Sequence, residues 1–161
     1  MSYWKTKLGI IFAALLFAVP IVSAVEYEWK DSSGTTKSLA DYKGKPVILH
    51  FWASWCPPCR SEMPEMQAWS EANKDVQMII VSLDQDIENA EVFLRSQGIA
   101  FPALRGDMAK AQRLGVRGLP TTLVIGGDSR IRKSHTGAVN WNNKIESGMI
   151  LQAMKAAVKA L

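Results

Sequence analysis

This chain of 161 residues has only two cysteines and two histidines. Such scarcity argues against a zinc site, which normally gathers four Cys or His ligands, and against a disulfide framework, which uses several bridges closing long loops. Lysine and arginine are scattered, with no basic block and no aromatic-basic interleaving, so nothing suggests a surface that tracks nucleic acid phosphates. Repeats, low-complexity tracts and linkers long enough to divide two domains are also absent. What remains is an ordinary globular composition, 48% hydrophobic and 21% charged, of a length that suits one domain with a real core.

One uncharged apolar run stands out, Leu8 to Val22, preceded by Lys5 and Lys7 and followed by Val22-Ser23-Ala24. A basic start, an apolar middle and small residues before the break read as a secretory signal over residues 1–24. An uncleaved membrane anchor is the alternative reading, since Leu8 to Val25 is about the length of a short span. Pro20 and the small residues after it favour cleavage after Ala24, and either reading places the rest of the chain, residues 25–161, outside the cytoplasm. Taking the two leader lysines from 19 basic residues leaves 17 against 15 acids, a balance of +2, so the formal +4 of the whole chain carries little meaning for partners.

The remainder reads as alternating elements. Tyr27–Lys30 and Thr35–Lys37 flank an Asp31-Ser32-Ser33-Gly34 turn and predict a hairpin. Pro46 to Trp52 is nearly unbroken in apolar residues and predicts a central strand covered on both faces. From Pro57 to about Lys74 the pattern is helical, with Met63, Met66, Ala68, Trp69 and Ala72 as its apolar stripe and Pro64 as an internal kink. Then follow a strand Val76–Leu83, a helix ending near Gln97 with Gly98 as its C-cap, a short strand Phe101–Leu104 and a helix Met108–Leu114. A strand Thr121–Ile125, a Gly126-Gly127-Asp128 turn, a strand Arg130–His135 and a last helix Met149–Leu161 complete the chain. The order implies an α/β fold with parallel crossovers first and an antiparallel edge last.

The chemistry is concentrated in Trp55-Cys56-Pro57-Pro58-Cys59, just beyond the predicted central strand. A bridge across two intervening residues contributes little loop entropy, so reactivity explains this pair better than stability does. At a helix start, unpaired N–H groups and a partial positive charge favour the thiolate of Cys56, the nucleophile of disulfide exchange. Cys59, one turn on and more buried, is placed to resolve the mixed disulfide.

These residues resemble the active site of the thioredoxin superfamily, and within it the exported TlpA, ResA and DsbE-like branch. The likeness runs from about Ser38 to Leu161. Ser38 to Pro46 is similar to that branch's lead-in to the central strand, and Pro64 falls where the family has its helix proline. Val116-Arg117-Gly118-Leu119-Pro120-Thr121 resembles the loop whose proline is cis. The segment Val76 to about Leu104 is similar to the strand-and-helix unit this branch inserts. The resemblance implies a thioredoxin-like fold, with a central mixed sheet flanked by helices, an N-terminal hairpin and a central strand-helix insertion. It also implies a thiol:disulfide oxidoreductase with no cofactor, acting as a monomer on protein thiols and disulfides and recharged by a membrane thiol carrier. Trp55, Leu119 and Pro120 become the substrate-binding residues.

Where thioredoxin carries a buried acid, six residues before the first cysteine, this chain has His50. His50 and Glu62 are the candidate proton relays to Cys59, set against the blander readings of a packed core histidine and a solvated helix glutamate. Trp52 and Trp69 read as core, His135 as a surface residue, and Trp141 as either a substrate-lining residue or a cover for the sheet edge. Asp84, Asp86 and Glu88 read as acids answering the macrodipole of the next helix rather than as a metal site. A reductase of exported protein disulfides is the leading function, with cytochrome c maturation as one role of the family. A disulfide-introducing oxidase is the alternative. A thiol peroxidase and a copper carrier fit less well, because the peroxide-reactive cysteine of peroxiredoxins usually lacks a partner three residues on and related exported copper carriers use a longer cysteine spacing and a histidine ligand; the spacing here and Pro120 argue against both.

Overall fold

The computed structural model describes residues 24–159. The signal or anchor expected of residues 1–24 lies outside them except for Ala24, and among the described residues no helix is long and apolar enough to cross a membrane.

The expected hairpin is β1 (Glu28–Asp31) and β2 (Thr36–Ser38), antiparallel and closed through Gly34 at φ 83°, a left-handed conformation that favours glycine. After a 3-10 turn, Leu39–Tyr42, comes β3 (Val47–Trp52), every residue of which is buried. Helix α1 (Pro57–Ala72) contains Pro64, and β4 (Gln77–Ser82) runs parallel to β3. Next come α2 (Ile87–Ser96), β5 (Leu104–Gly106) and α3 (Met108–Arg113). The antiparallel pair β6 (Thr121–Ile125) and β7 (Ile131–Thr136) and helix α4 (Glu146–Lys159) close the domain. The seven strands form one mixed sheet in the order β2-β1-β5-β4-β3-β6-β7.

Alternate residues of β3 serve two cores, as the two-residue period of a strand requires. Ile48 and Trp52 pack with Met63, Met66, Phe93, Ile150 and Met154, beneath α1, α2 and α4. Val47, Leu49 and Phe51 face the other way, onto Tyr27, Trp29, Leu39 and Ala111, beneath the hairpin and α3. His50 therefore belongs to the α1 side of the sheet.

Three expectations need correction. Strand β5 begins at Leu104 rather than Phe101, because Pro102 has no N–H for a ladder and pairing with β1 begins at Leu104. Helix α4 starts at Glu146, three residues early: the preceding loop carries its own turn, with Asn140 Oδ1 accepting from the Asn143 N–H and Asn143 Oδ1 from the Ile145 N–H. On α1, Ala68 and Ala72 are exposed, and the buried stripe is Cys59, Glu62, Met63 and Met66.

Gly106 sits where β5 meets β1, opposite Trp29. A β-carbon there would run into the Tyr27 hydroxyl and stand 2.6 Å from Val81 Cγ1, both in the core. Gly106→Ala should cost about 1–3 kcal/mol through overpacking. Thermal unfolding should show a lowered Tm, and an unchanged Tm would mean that the hairpin and β4 yield freely.

Candidate active site

Cys56 is the N-cap of α1 and is joined to Cys59 in a disulfide, with Cα atoms 5.3 Å apart. The position follows from sequence: β3 ends at Trp52, the chain turns with the Cys56 N–H donating to the Ala53 carbonyl, and Pro57 and Pro58 start the helix. Proline suits the first turn because its missing N–H would be unpaired there anyway. At this N-cap, however, the two prolines remove donors that would otherwise face the sulfur. One remains, the Cys59 N–H, 3.4 Å from Cys56 Sγ.

Cys59 is wholly buried and Cys56 is only 4% exposed, so the outward cysteine is far less open than expected. What projects is the neighbouring Trp55, 61% exposed. Beside it lies a groove of about 470 Å³ between Trp55, Cys56 and Pro58 on one wall and Met108, Val116 and Leu119 on the other. The Leu119–Pro120 bond is cis, as expected. Of the three anticipated substrate-binding residues, Trp55 and Leu119 line this groove, whereas Pro120 is buried and does not.

Behind the disulfide is a polar network within the α1-side core. His50, wholly buried, stands opposite Thr122 in the β3–β6 ladder, and its Nδ1 lies 3.0 Å from Thr122 Oγ1. His50 Nε2 is 3.3 Å from Glu62 Oε1, a charge-pair distance without the alignment of a hydrogen bond. Glu62 is no solvated helix glutamate but a buried one, one turn beyond Cys59 on the same side of α1. Its Oε2 accepts from the Val139 N–H at 2.9 Å and the Trp141 Nε1–H at 3.1 Å. Facing two donors, Oε2 serves as an acceptor, and Oε1 is the oxygen turned toward His50.

Trp141 corrects both readings made of it. It neither lines a substrate surface nor covers an edge: it is 2% exposed, with its ring 5.0 Å from Trp69 and 6.5 Å from His50. The polar residues around it gave no sign of this, because its partner Glu62 is 79 positions away.

Asp84 was also misread. Asp86 is the N-cap of α2 and accepts from the Glu88 N–H, as a helix-start acid should. Asp84 is buried and turned the other way, accepting from the Ser54 N–H at 2.9 Å, the Ser54 hydroxyl at 2.8 Å and the Ser82 hydroxyl at 2.6 Å. A Ser-x-Asp pattern at a strand end is a weak hint of such a turn; the link to the loop before Cys56 is tertiary. No group of three or more His, Cys, Asp or Glu that could hold a metal occurs among the described residues.

A redox cysteine pair on a helix start, beside an apolar groove and above a buried acid, agrees with known proteins. The model of the AhpC/TSA family matches residues 22–134. The thiol-disulfide oxidoreductase ResA of Halalkalibacterium halodurans is 33% identical over 119 residues, 72% of this chain and 68% of its own. A crystal structure assigned as the thiol:disulfide interchange protein DsbE of Chlorobium tepidum superposes with a TM-score of 0.69 at 27% identity, over 81% of this chain and 94% of the other. The exposed lipoprotein thioredoxin Etrx1 of Streptococcus pneumoniae gives 0.63 at 28% identity, over 81% and 98%. The chain belongs to the AhpC/TSA family and is a thiol-disulfide oxidoreductase of the ResA and DsbE type, carrying the Cys56–Cys59 pair.

Proposed function

We propose that the protein works outside the cytoplasm as a reductase of protein disulfides, with Cys56 as nucleophile and Cys59 as resolving thiol. The observation that carries the direction is the single N–H given to Cys56 Sγ. A thiolate with few donors and no histidine between the cysteines is weakly stabilised, which favours the disulfide and makes the dithiol a good electron donor.

In the proposed cycle the Cys56 thiolate attacks one sulfur of a substrate disulfide, and the displaced substrate thiolate takes up a proton. Cys59 gives its proton to the Glu62–His50 pair and attacks Cys56 Sγ. The Cys56–Cys59 bond forms as the bond from Cys56 to the substrate breaks, the second substrate sulfur leaves and takes the proton held by the Glu62–His50 pair, and two electrons have passed to the substrate. A membrane thiol carrier would restore the dithiol. Trp55 and Leu119 would hold an extended segment of substrate in the groove, and the C-x-x-C-H haem segment of cytochromes c, in cytochrome c maturation, is one substrate of the right chemistry. The leader supports export, as does the likeness to a protein described as an exposed lipoprotein.

Three measurements test this. Cys59→Ser should accumulate mixed disulfides with exported proteins; trapping by Cys56→Ser instead would reverse the two roles. Equilibration with glutathione or dithiothreitol should give a potential nearer the roughly −270 mV of thioredoxin than the roughly −120 mV of DsbA, and a value above about −170 mV would establish the oxidase direction. Glu62→Gln keeps the shape but cannot take up a proton, so resolution of the mixed disulfide should slow by about a hundredfold near neutral pH. An unchanged rate in stopped-flow would remove Glu62 from the relay.

A further inference from the structure

We infer that Asp84 is a positioning residue for the thiol-disulfide reaction, one that clamps the loop before Cys56 and sets the redox balance of the pair through its buried charge. Three observations carry this. The carboxylate is 3% exposed yet belongs to none of the ion pairs among the described residues. Arg105, paired with Ser82 across β4 and β5, directs its guanidinium to the Gln85 carbonyl at 3.4 Å instead. And every donor on the carboxylate comes from one of two serines. Ser82 sits on its own strand, accepting from the Asp84 N–H at 2.9 Å while donating to Oδ2. Ser54 lies two residues before the N-cap cysteine and is held at both its amide and its hydroxyl.

This arrangement has two consequences. Ser54 is held where β3 has already ended and α1 has not begun, so the turn that delivers Cys56 is tied to β4 as well as to its own strand; the Leu83 N–H adds a bond to the Trp52 carbonyl at 2.8 Å. In addition, a carboxylate out of solvent is poorly screened, and a like charge nearby disfavours ionisation of a thiol. Asp84 thereby works against the helix dipole, holding down the thiolate that would stabilise the reduced form. The charge pushes the pair toward the disulfide, in the same sense as the two prolines.

Asp84→Asn separates charge from shape. Its amide oxygen can take the Oδ2 position and its nitrogen the Oδ1 position, where it donates to the Ser54 hydroxyl, so all three hydrogen bonds persist while the charge goes. In the equilibrium of protein disulfide with two glutathione thiols, giving protein dithiol and glutathione disulfide, the constant should rise about tenfold toward the dithiol, about 30 mV for two electrons. Ser54→Ala keeps the charge and removes one arm of the clamp. It should leave that constant within twofold of the wild type, while the reduced protein reacts several-fold more slowly with dithiobis(nitrobenzoate). An Asn variant that melts like the wild type and shows an unchanged constant overturns the charge role. An Ala variant that reacts at the wild-type rate overturns the clamp, and it decides alone if the Asn variant does not fold. The inference rests on the thiol-disulfide activity and not on its direction: a wild-type potential above about −170 mV would end the reductase reading while leaving the shift on Asp84→Asn to be measured.

Discussion

The reactive sulfur is placed by the junction between a strand buried on both faces and a helix whose first two residues have no N–H to offer. Because β3 is covered by both cores, its register is strongly specified, and a slip of one residue would exchange Ile48 and Trp52 for Leu49 and Phe51. Cys56 must then emerge at the carboxyl end of the sheet, where reactive groups of α/β folds gather. Pro57 and Pro58 make that end a helix start and thin out the donors around the sulfur. Fold and reactivity thus meet at one junction, the end of β3 and the first turn of α1.

Placing polar groups directly beneath such a site is costly unless each finds partners. An unpaired buried amide or hydroxyl costs about 1–3 kcal/mol, and a lone charge more. The loop between β7 and α4 meets this cost for Glu62 by turning in the Val139 N–H and the Trp141 indole. His50 has Thr122 on one nitrogen, and among the buried side-chain polar atoms of the described residues only His50 Nε2 and Glu62 Oε1 lack an aligned partner. In a core otherwise satisfied, that unaligned contact is where the proposed relay would receive the proton of Cys59.

What was legible in the sequence follows from how local each cause is. The strand, the redox helix and the final hairpin announce themselves through apolar runs, the Cys-Pro-Pro-Cys motif and the Gly126-Gly127-Asp128 turn, all short-range signals, and they appear within a residue or two of expectation. Trp141 and Asp84 were misread, and the burial of Glu62 was not foreseen, because their placements depend on pairings across 79, 30 and 77 positions, which neither periodicity nor propensity records. A glutamate on a helix is usually solvated, and an acid ahead of a helix usually serves its dipole. Both priors failed beside the active site, where local rules give way to function.

The two buried acids divide the work. Glu62 stands one helical turn beyond the inner cysteine and opposite a histidine, with a single oxygen left open to a proton. Asp84 has all its contacts taken by serines, so its remaining means of influence is its charge. In the proposed cycle one acid exchanges protons as the disulfide forms and breaks, and in the role inferred for Asp84 the other biases the equilibrium without taking part. Thioredoxin-like chemistry needs both functions, a destination for the proton of the resolving thiol and a setting for the potential. The acids stand on different elements, α1 for one and the turn after β4 for the other, and they share no hydrogen-bond partner. A substitution at Asp84 that keeps its bonds to Ser54 and Ser82, and so the turn before Cys56, would alter the charge behind the site alone.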